Sequence, residues 1–232
     1  MTPSHELELV RYQDLSPRIR SFECRSVGRA RLEFEPGQHV SIEFTLDGAP
    51  CSRYYSLASS PGDDMVEIVA RYNEGAPGTR YLWGLRAGHR LRVAGPSGAL
   101  RLRGPEPRAS LFVANGTGIA PIRSMIRWLV ARGGAPAMTL LYGARDQTDL
   151  IYDAEFVELA RQKRDFVYKV VLSRPLDGWT GAQGRVQEHA ARVASARSGV
   201  DAYLAGSPAM VEDLRRVLEA AGFDPGSIYF EK

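Results

Sequence analysis

The spacing of apolar residues changes character near residue 104, and that change limits the chain to a fold in two parts. Before it, short segments alternate apolar and polar side chains, as in Arg31-Leu32-Glu33-Phe34-Glu35 and Val40-Ser41-Ile42-Glu43-Phe44. A period of two sends one row of side chains into a core and the other into water, the pattern of a half-buried strand. Val66 to Tyr72 and Leu91 to Val93 continue it. Turn-forming clusters separate the segments: Pro36-Gly37, Asp47-Gly48, Pro61-Gly62-Asp63-Asp64 and Gly75-Ala76-Pro77-Gly78. Short strands at this spacing predict an antiparallel six-stranded β-barrel, with one short helix from Thr79 through Trp83.

Beyond Gly104-Pro105-Glu106-Pro107, which reads as the linker, the pattern is different. Near-continuous apolar runs (Ser110 to Ala114, Met138 to Tyr142, Phe166 to Leu172, Ala202 to Ala205, Ile228 to Phe230) alternate with helical stretches. The stretches are Ala120 to Ala131, Asp153 to Gln162, Arg185 to Ala194 and Ala209 to Ala221. Strands that are apolar throughout are buried on both faces, so this half predicts a five-stranded parallel sheet with helices on each side. The fold class is therefore β + α/β, with domains at 1–104 and 105–232. A chain of 232 residues accommodates two such domains, and 44% hydrophobic content supplies two cores.

Several function classes are disfavoured. A net charge of +3 is too small to argue for nucleic acid. Met1 to Val10 has no apolar core of a leader peptide, and no run approaches the roughly 20 apolar residues that span a bilayer. The expectation is a cytoplasmic monomer with no membrane contact. Cys24 and Cys51 are too few for an iron–sulfur cluster, which takes about four thiolates. No metal site is expected, and an iron–sulfur centre served by this chain would lie on another polypeptide or domain. The charge is unevenly spread: between Arg71 and Arg108 stand eight arginines and only two acids, Glu74 and Glu106. That stretch suits an acidic partner or cofactor phosphates; an arginine-rich solvated surface is the plainer alternative.

Two short motifs carry the chemistry. Gly116-Thr117-Gly118-Ile119-Ala120-Pro121 follows the apolar run that ends at Asn115. The glycines let the backbone turn tightly and approach a ligand, and Pro121 fits the first turn of a helix. A helix start behind such a turn attracts anions. In a parallel sheet ligands sit beyond the carboxyl ends of the strands. There the sequence places Arg145, then Ser173-Arg174, Arg185, and Gly206-Ser207-Pro208. Arginine's planar fork suits a phosphomonoester. The other motif is Arg53-Tyr54-Tyr55-Ser56. Arg53 can hold a pyrophosphate, and a tyrosine face is a platform for a planar ring. Adjacent tyrosines on a strand point to opposite faces, so only one is expected to meet the ligand.

These residues resemble the ferredoxin–NADP reductase superfamily, across essentially the whole chain. Its flavin signature Arg-x-Tyr-Ser stands as Arg53 to Ser56, preceded by Pro36-Gly37-Gln38. Val69-Ala70-Arg71-Tyr72 with Pro77-Gly78-Thr79 resembles the second flavin element, and Gly95-Pro96-Ser97-Gly98 the family's Gly-Pro-x-Gly. Gly116 to Pro121 is the nucleotide motif. Tyr142-Gly143-Ala144-Arg145 with Asp149, Leu150 and Tyr152, and Trp179 with Gly181 and Gly184, are similar to the branch serving oxygenases and bacterial ferredoxins. The resemblance implies FAD on Arg53, Tyr54, Tyr55, Ser56, Val69, Arg71, Pro77, Gly78 and Thr79. Tyr55 would stack on the isoalloxazine, Ser56 would lie near its N5, and Thr79 would bind phosphate at a helix start. It implies NADPH, with NADH as the alternative, on Gly116, Thr117, Gly118, Arg145, Ser173, Arg174, Arg185, Gly206, Ser207 and Pro208. Arg145, Ser173, Arg174 and Arg185 resemble a set that reads a 2′-phosphate, and Glu231 a carboxylate that positions nicotinamide or shuttles a proton.

Two departures stand out. Many members place a cysteine where this chain has Ala205. Many end in an aromatic residue over the flavin, whereas this chain stops at Glu231-Lys232, which leaves an open face, a substitute from Tyr229 or Phe230, or a longer natural protein. The implied function is a flavoenzyme that passes electrons from NADPH through FAD to ferredoxin, flavodoxin or an oxygenase component. The alternatives are a free-flavin or ferric-siderophore reductase, an FAD-binding electron-transfer subunit without its own NAD(P)H turnover, and a nucleotide-binding module without flavin.

Overall fold

The structure, a computed structural model, describes residues 3–28, 31–103, 108–133, 137–194 and 199–231. The expected linker at 104–107 lies outside the described residues. The first half is an antiparallel sheet of β1 (Ser4–Ser16), β2 (Ile19–Ser26), β3 (His39–Leu46), β4 (Ala49–Ser56), β5 (Val66–Arg71) and β6 (Arg90–Ser97), in the order β4-β3-β6-β1-β2-β5. Its two edges meet through the bridge between Leu57 and Ile68 and the hydrogen bond from Ala58 N–H to the Glu67 carbonyl, 2.7 Å, which closes the barrel. Alternate residues, among them Leu7, Leu9, Phe22, Val40, Ile42, Leu91 and Val93, fill it. The expected strand at 31–35 does not form. Leu32 N–H donates to the Ser26 hydroxyl and Glu35 N–H to the Gln38 side chain, so its donors are spent on local side chains instead of a neighbouring strand. Helix α1 (Pro77–Trp83) opens on Pro77, where a missing N–H costs nothing.

The second half is a parallel sheet of β7 (Ser110–Asn115), β8 (Met138–Ala144), β9 (Phe166–Leu172), β10 (Ala182–Gln183), β11 (Asp201–Ala205) and β12 (Ile228–Phe230). The order is β10-β9-β8-β7-β11-β12: the five expected strands plus a two-residue strand at one edge. Phe112 and Ala114 of β7 face α2 (Ile119–Ala131) and α3 (Asp153–Gln162), while Leu111 and Val113 face α4 (Val186–Ala194) and α5 (Pro208–Ala220). Burial on both faces is why β7, β8 and β11 are apolar almost throughout. Among the described residues no helix is long and apolar enough to cross a membrane.

Strand order reverses between β7 and β11, the switch point where a parallel sheet opens a crevice. The barrel packs against this region. Ile19, Ala58, Val69 and Leu100 belong to the same apolar cluster as Phe112, Ile122, Met125 and Ile126. Each such buried side chain contributes about 1.5–3 kcal/mol, so the seam is held chiefly by apolar burial.

Candidate active site

The crevice lies between the carboxyl ends of β7, β8, β9 and β11 on one side and β4, β5 and α1 on the other. It encloses about 1130 Å³, more than the roughly 300–1,000 Å³ of a single small-ligand site. It brings together residues up to 177 positions apart, from Tyr54 to Glu231. Of the residues singled out in the sequence, Tyr54, Tyr55, Ser56, Val69, Arg71 and Thr79 line it from the barrel side. Gly116, Thr117, Gly118, Arg145, Ser173, Arg174, Arg185, Gly206 and Ser207 line it from the other, with Glu231 at the end. Arg53, Pro77, Gly78 and Pro208 stand behind this lining.

On the barrel side, Arg53 runs along the start of α1, and its Nη1 donates to the Ser52 carbonyl at 2.7 Å. A Cβ at Gly78 would collide with the Tyr55 hydroxyl and the Arg53 side chain, so the glycine is what lets α1 close on β4. Burial pushes the Tyr55 phenol up to about 12 against the opposing pull of Arg53, and the ring stays neutral. The expectation that only one tyrosine meets the ligand space does not hold: both line the crevice. Tyr54 is 70% exposed and also borders a second chamber, because β4 is an edge strand of the sheet. The Thr79 hydroxyl is already committed, donating to the Asn73 carbonyl at 2.8 Å and accepting from Asn73 N–H at 3.2 Å. The Ser56 hydroxyl makes no hydrogen bond among the described residues.

On the other side, Gly116 follows β7 at φ +52° and Gly206 follows β11 at φ +152°, conformations a side chain would resist. A Cβ at Gly118 would overlap the Ala205 carbonyl, and one at Gly206 would overlap Asn115. The two turns therefore touch through backbone. Asn115 joins them: its Oδ1 accepts from Ser207 N–H at 2.9 Å and its Nδ2 donates to Ser207 Oγ at 3.4 Å. The Tyr142 hydroxyl donates to the Gly116 carbonyl at 3.1 Å. Asn115 was passed over in the sequence, although it directly precedes Gly116. The guanidinium groups of Arg145, Arg174 and Arg185 make no ion pair or hydrogen bond among the described residues. Three unpartnered cations at one crevice form a site for an anion.

The second chamber, about 580 Å³, shares Tyr54, Ser56 and Glu231 with the crevice and adds His39 and Ser97. Glu231 Oε2 accepts from Ala99 N–H at 3.0 Å and Leu100 N–H at 3.2 Å, tying the chain's last described residue to the barrel. It stands 3.8 Å from His39 Nδ1, while His39 Nε2 meets Ser97 Oγ at 3.0 Å. His39 directly follows Pro36-Gly37-Gln38 and Ser97 lies within Gly95 to Gly98, yet neither takes a role from the sequence alone; the run from Glu231 through His39 to Ser97 marks them. Tyr229 stacks on Tyr203, and Phe230 lies under the Arg215 guanidinium. Neither lines the crevice, so neither substitutes as an aromatic cover there.

The Arg71–Arg108 stretch is not an open cationic face. Arg71 pairs with Asp149, Arg80 with Asp47, Arg90 with Glu6, Arg92 with Glu43, Arg101 with Glu35 and Arg108 with Asp201. The sequence window hid these acids because most lie far away in the chain.

A barrel and a doubly covered parallel sheet meet at a glycine-lined crevice that carries three arginines, an arrangement suited to an oxidoreductase of two cofactors. Comparison with known proteins agrees. Residues 6–102 match the oxidoreductase FAD-binding domain and residues 112–216 the oxidoreductase NAD-binding domain. The chain is 41% identical over 187 residues to ferredoxin–NADP reductase B of Sorangium cellulosum, covering 79% of this chain and 76% of that protein. It is 34% identical over 200 residues to the ferredoxin–NAD(P)(+) reductase component of the naphthalene 1,2-dioxygenase/salicylate 5-hydroxylase systems of a Ralstonia species, covering 85% of this chain and 60% of the relative. It thus spans about 60% of the length of that reductase component. An Amycolatopsis cytochrome P450 reductase superposes with a TM-score of 0.87 at 27% identity, over 100% of this chain and 71% of that one. The chain belongs to the ferredoxin–NADP reductase family and is an oxidoreductase that binds FAD and NAD(P). The residues present fit both groups: the volume exceeds one ligand's need, glycines open the backbone where a Cβ would intrude, and the unpartnered arginines await an anion.

Proposed function

We propose that the chain passes electrons from NADPH through FAD to a one-electron acceptor: ferredoxin, flavodoxin or an oxygenase component. The observation that carries this reading is the single crevice lined at once by Tyr55 and Ser56 and by Thr117, Arg145, Arg174 and Arg185. When bound, FAD takes two electrons from nicotinamide and releases them singly. Residues 1–104 form the FAD-binding unit and 105–232 the nucleotide-binding unit. Tyr55 offers its half-buried neutral ring as a stacking face, with Arg53, Gly78 and Thr79 shaping the adjoining phosphate region. Ser56, whose side chain makes no hydrogen bond among the described residues, is the hydroxyl that meets the flavin edge. Gly116, Thr117, Gly118, Gly206 and Ser207 let backbone approach the pyridine nucleotide, and Pro208 fixes the start of α5. Arg174 and Arg185, with Arg145 and Ser173, hold the 2′-phosphate, which makes NADPH the preferred donor. Glu231 positions the nicotinamide end. The setting is the cytoplasm and the unit a monomer.

The test is a visible spectrum of the purified protein followed by anaerobic addition of NADPH. Bound FAD absorbs near ~450 nm, a property of the cofactor, and NADPH bleaches it if the reading holds. A colourless protein that gains no absorbance with added FAD overturns it. Colour without bleaching favours an electron-transfer subunit without NAD(P)H turnover.

A further inference from the structure

One cluster at the seam touches neither the crevice nor the second chamber, yet is built from buried charge. Glu67, near the start of β5, accepts on Oε2 from Arg123 Nη1 at 2.7 Å and on Oε1 from the Tyr152 hydroxyl at 2.6 Å. Glu67 belongs to the barrel; both donors belong to the other half. Arg123 Nη1 also donates to the barrel's Ala58 carbonyl at 2.9 Å, and its Nε bonds Glu155 on α3 at 2.7 Å. The guanidinium lies over the Tyr152 ring, 4.1 Å from its centre. The Arg123 and Glu67 side chains are only 8% and 13% exposed. One turn along α2, Arg127 pairs with the barrel's Asp63 at 3.2 Å. Burial works against the Arg123 charge, but Glu155 and Glu67 outweigh it and its pKa is raised.

Tyr152 adds an independent sign. It is one of two non-glycine residues with positive φ among the described residues, at +59° directly before α3. Such strain persists where surrounding contacts over-determine the position, and it gathers at functional sites.

Intact, the cluster adds little net adhesion to the seam, but removing Glu67 strands the Arg123 charge there and loosens it. Apolar packing of Ile19, Val69 and Leu100 already holds the seam, and a buried ion pair roughly breaks even against its desolvation. Leaving one buried charge unmatched is strongly unfavourable, however, so the network penalises any slip or rotation of one half on the other. Glu67 is two residues before Val69 on β5, and Arg123 five after Gly118 on α2. Val69 and Gly118 are opposite walls of the crevice.

We propose that Glu67, gripped by Arg123 and Tyr152, is a positioning residue that sets the register of the two halves and so the spacing of the two cofactors across the crevice. This rests on the electron transfer proposed above. The test compares Glu67→Ala, Glu155→Ala and Tyr152→Phe with the native holoprotein by stopped-flow bleaching with NADPH. Scanning calorimetry of the cofactor-free proteins runs beside it. Glu155→Ala removes an arm that stays within one half. If register is the role, Glu67→Ala keeps its FAD, loses about tenfold or more in limiting bleaching rate and shifts the half-saturating NADPH concentration by less than about twofold, since misplacement by about 1 Å costs up to ~10² in rate. Its cofactor-free form melts in two transitions where the native protein melts in one. Glu155→Ala stays within about twofold of the native rate, and Tyr152→Phe falls between the two. Equal rates for Glu67→Ala and Glu155→Ala overturn the proposal. Should Glu67→Ala not fold, a native rate in Tyr152→Phe overturns it. A native protein that is yellow but does not bleach refutes the electron-transfer reading instead. Calorimetry then tests the register alone, and a single transition in Glu67→Ala sinks it.

Discussion

Arg174 and Arg185 stand among the exposed residues of the crevice with no ion pair among the described residues, which suits them to the 2′-phosphate role proposed above. A hydrogen bond to a charged group is worth about 1.5–3 kcal/mol, and 1.4 kcal/mol is a factor of ten. Replacing both with alanine is expected to raise the KM for NADPH at least about tenfold and leave that for NADH within about twofold. Steady-state kinetics with both donors checks this, and equal losses would remove the 2′-phosphate assignment. Tyr55 makes a prediction in pH. Its pKa rises from an unfolded value of about 10 to about 12 because burial disfavours the phenolate. The folded state therefore prefers the neutral ring. That contribution is complete below about pH 10 and is lost as pH climbs from about 10 to 12. Burial also raises Tyr142, Tyr152, Tyr168 and Tyr203, so the native protein should melt at falling temperature across this window. Tyr55→Phe should fall less steeply in thermal melts between pH 9 and about 11.5. An unchanged slope would assign the loss to the other tyrosines.

The turns after β7 and β11 behave as one element. Gly118 approaches the Ala205 carbonyl, which is backbone and cannot rotate away as a side chain could. Gly118→Ala is expected to push the two turns apart at a cost of about 1–3 kcal/mol, the usual range for overpacking. The readouts are a lowered Tm and a raised half-saturating NADPH concentration, with FAD content unchanged because the barrel is untouched. Loss of FAD in this variant would place part of the flavin on the β7 turn. Elements were read well where one rule governed them. β9 at Phe166–Leu172 and α3 at Asp153–Gln162 fall where periodicity put them, because continuous apolar runs and a 3.6-residue stripe compete with nothing else there. The segment at 31–35 alternates equally well but has no neighbour, since its donors go to Ser26 and Gln38. Alternation reports which face is buried and says nothing of pairing.

For the molecule as a whole, the arginine-rich stretch is a mosaic of pairs, and its pull on an acidic electron carrier is short-ranged. With a Debye length near 10 Å at 0.1 M salt, such pairs steer weakly. Raising salt from about 50 to 500 mM is expected to slow acceptor reduction by no more than several-fold. A hundredfold fall in cytochrome or ferredoxin reduction would show that arginines outside this stretch dominate docking.

The sequence by itself determined the two-part plan and both motif sets, because these are local: period, turn chemistry and glycine placement act over a few residues. Most of the candidate site residues it named line the crevice. Only the tertiary structure decided which of them are free to act. Thr79 is spent on its own loop while Ser56 is open, six of the eight arginines are paired with acids that all lie outside their window, and Asn115, His39 and Glu67 gain roles from partners as distant as Glu231. Hydrogen bonds and ion pairs are made across space, and no spacing along the chain encodes them.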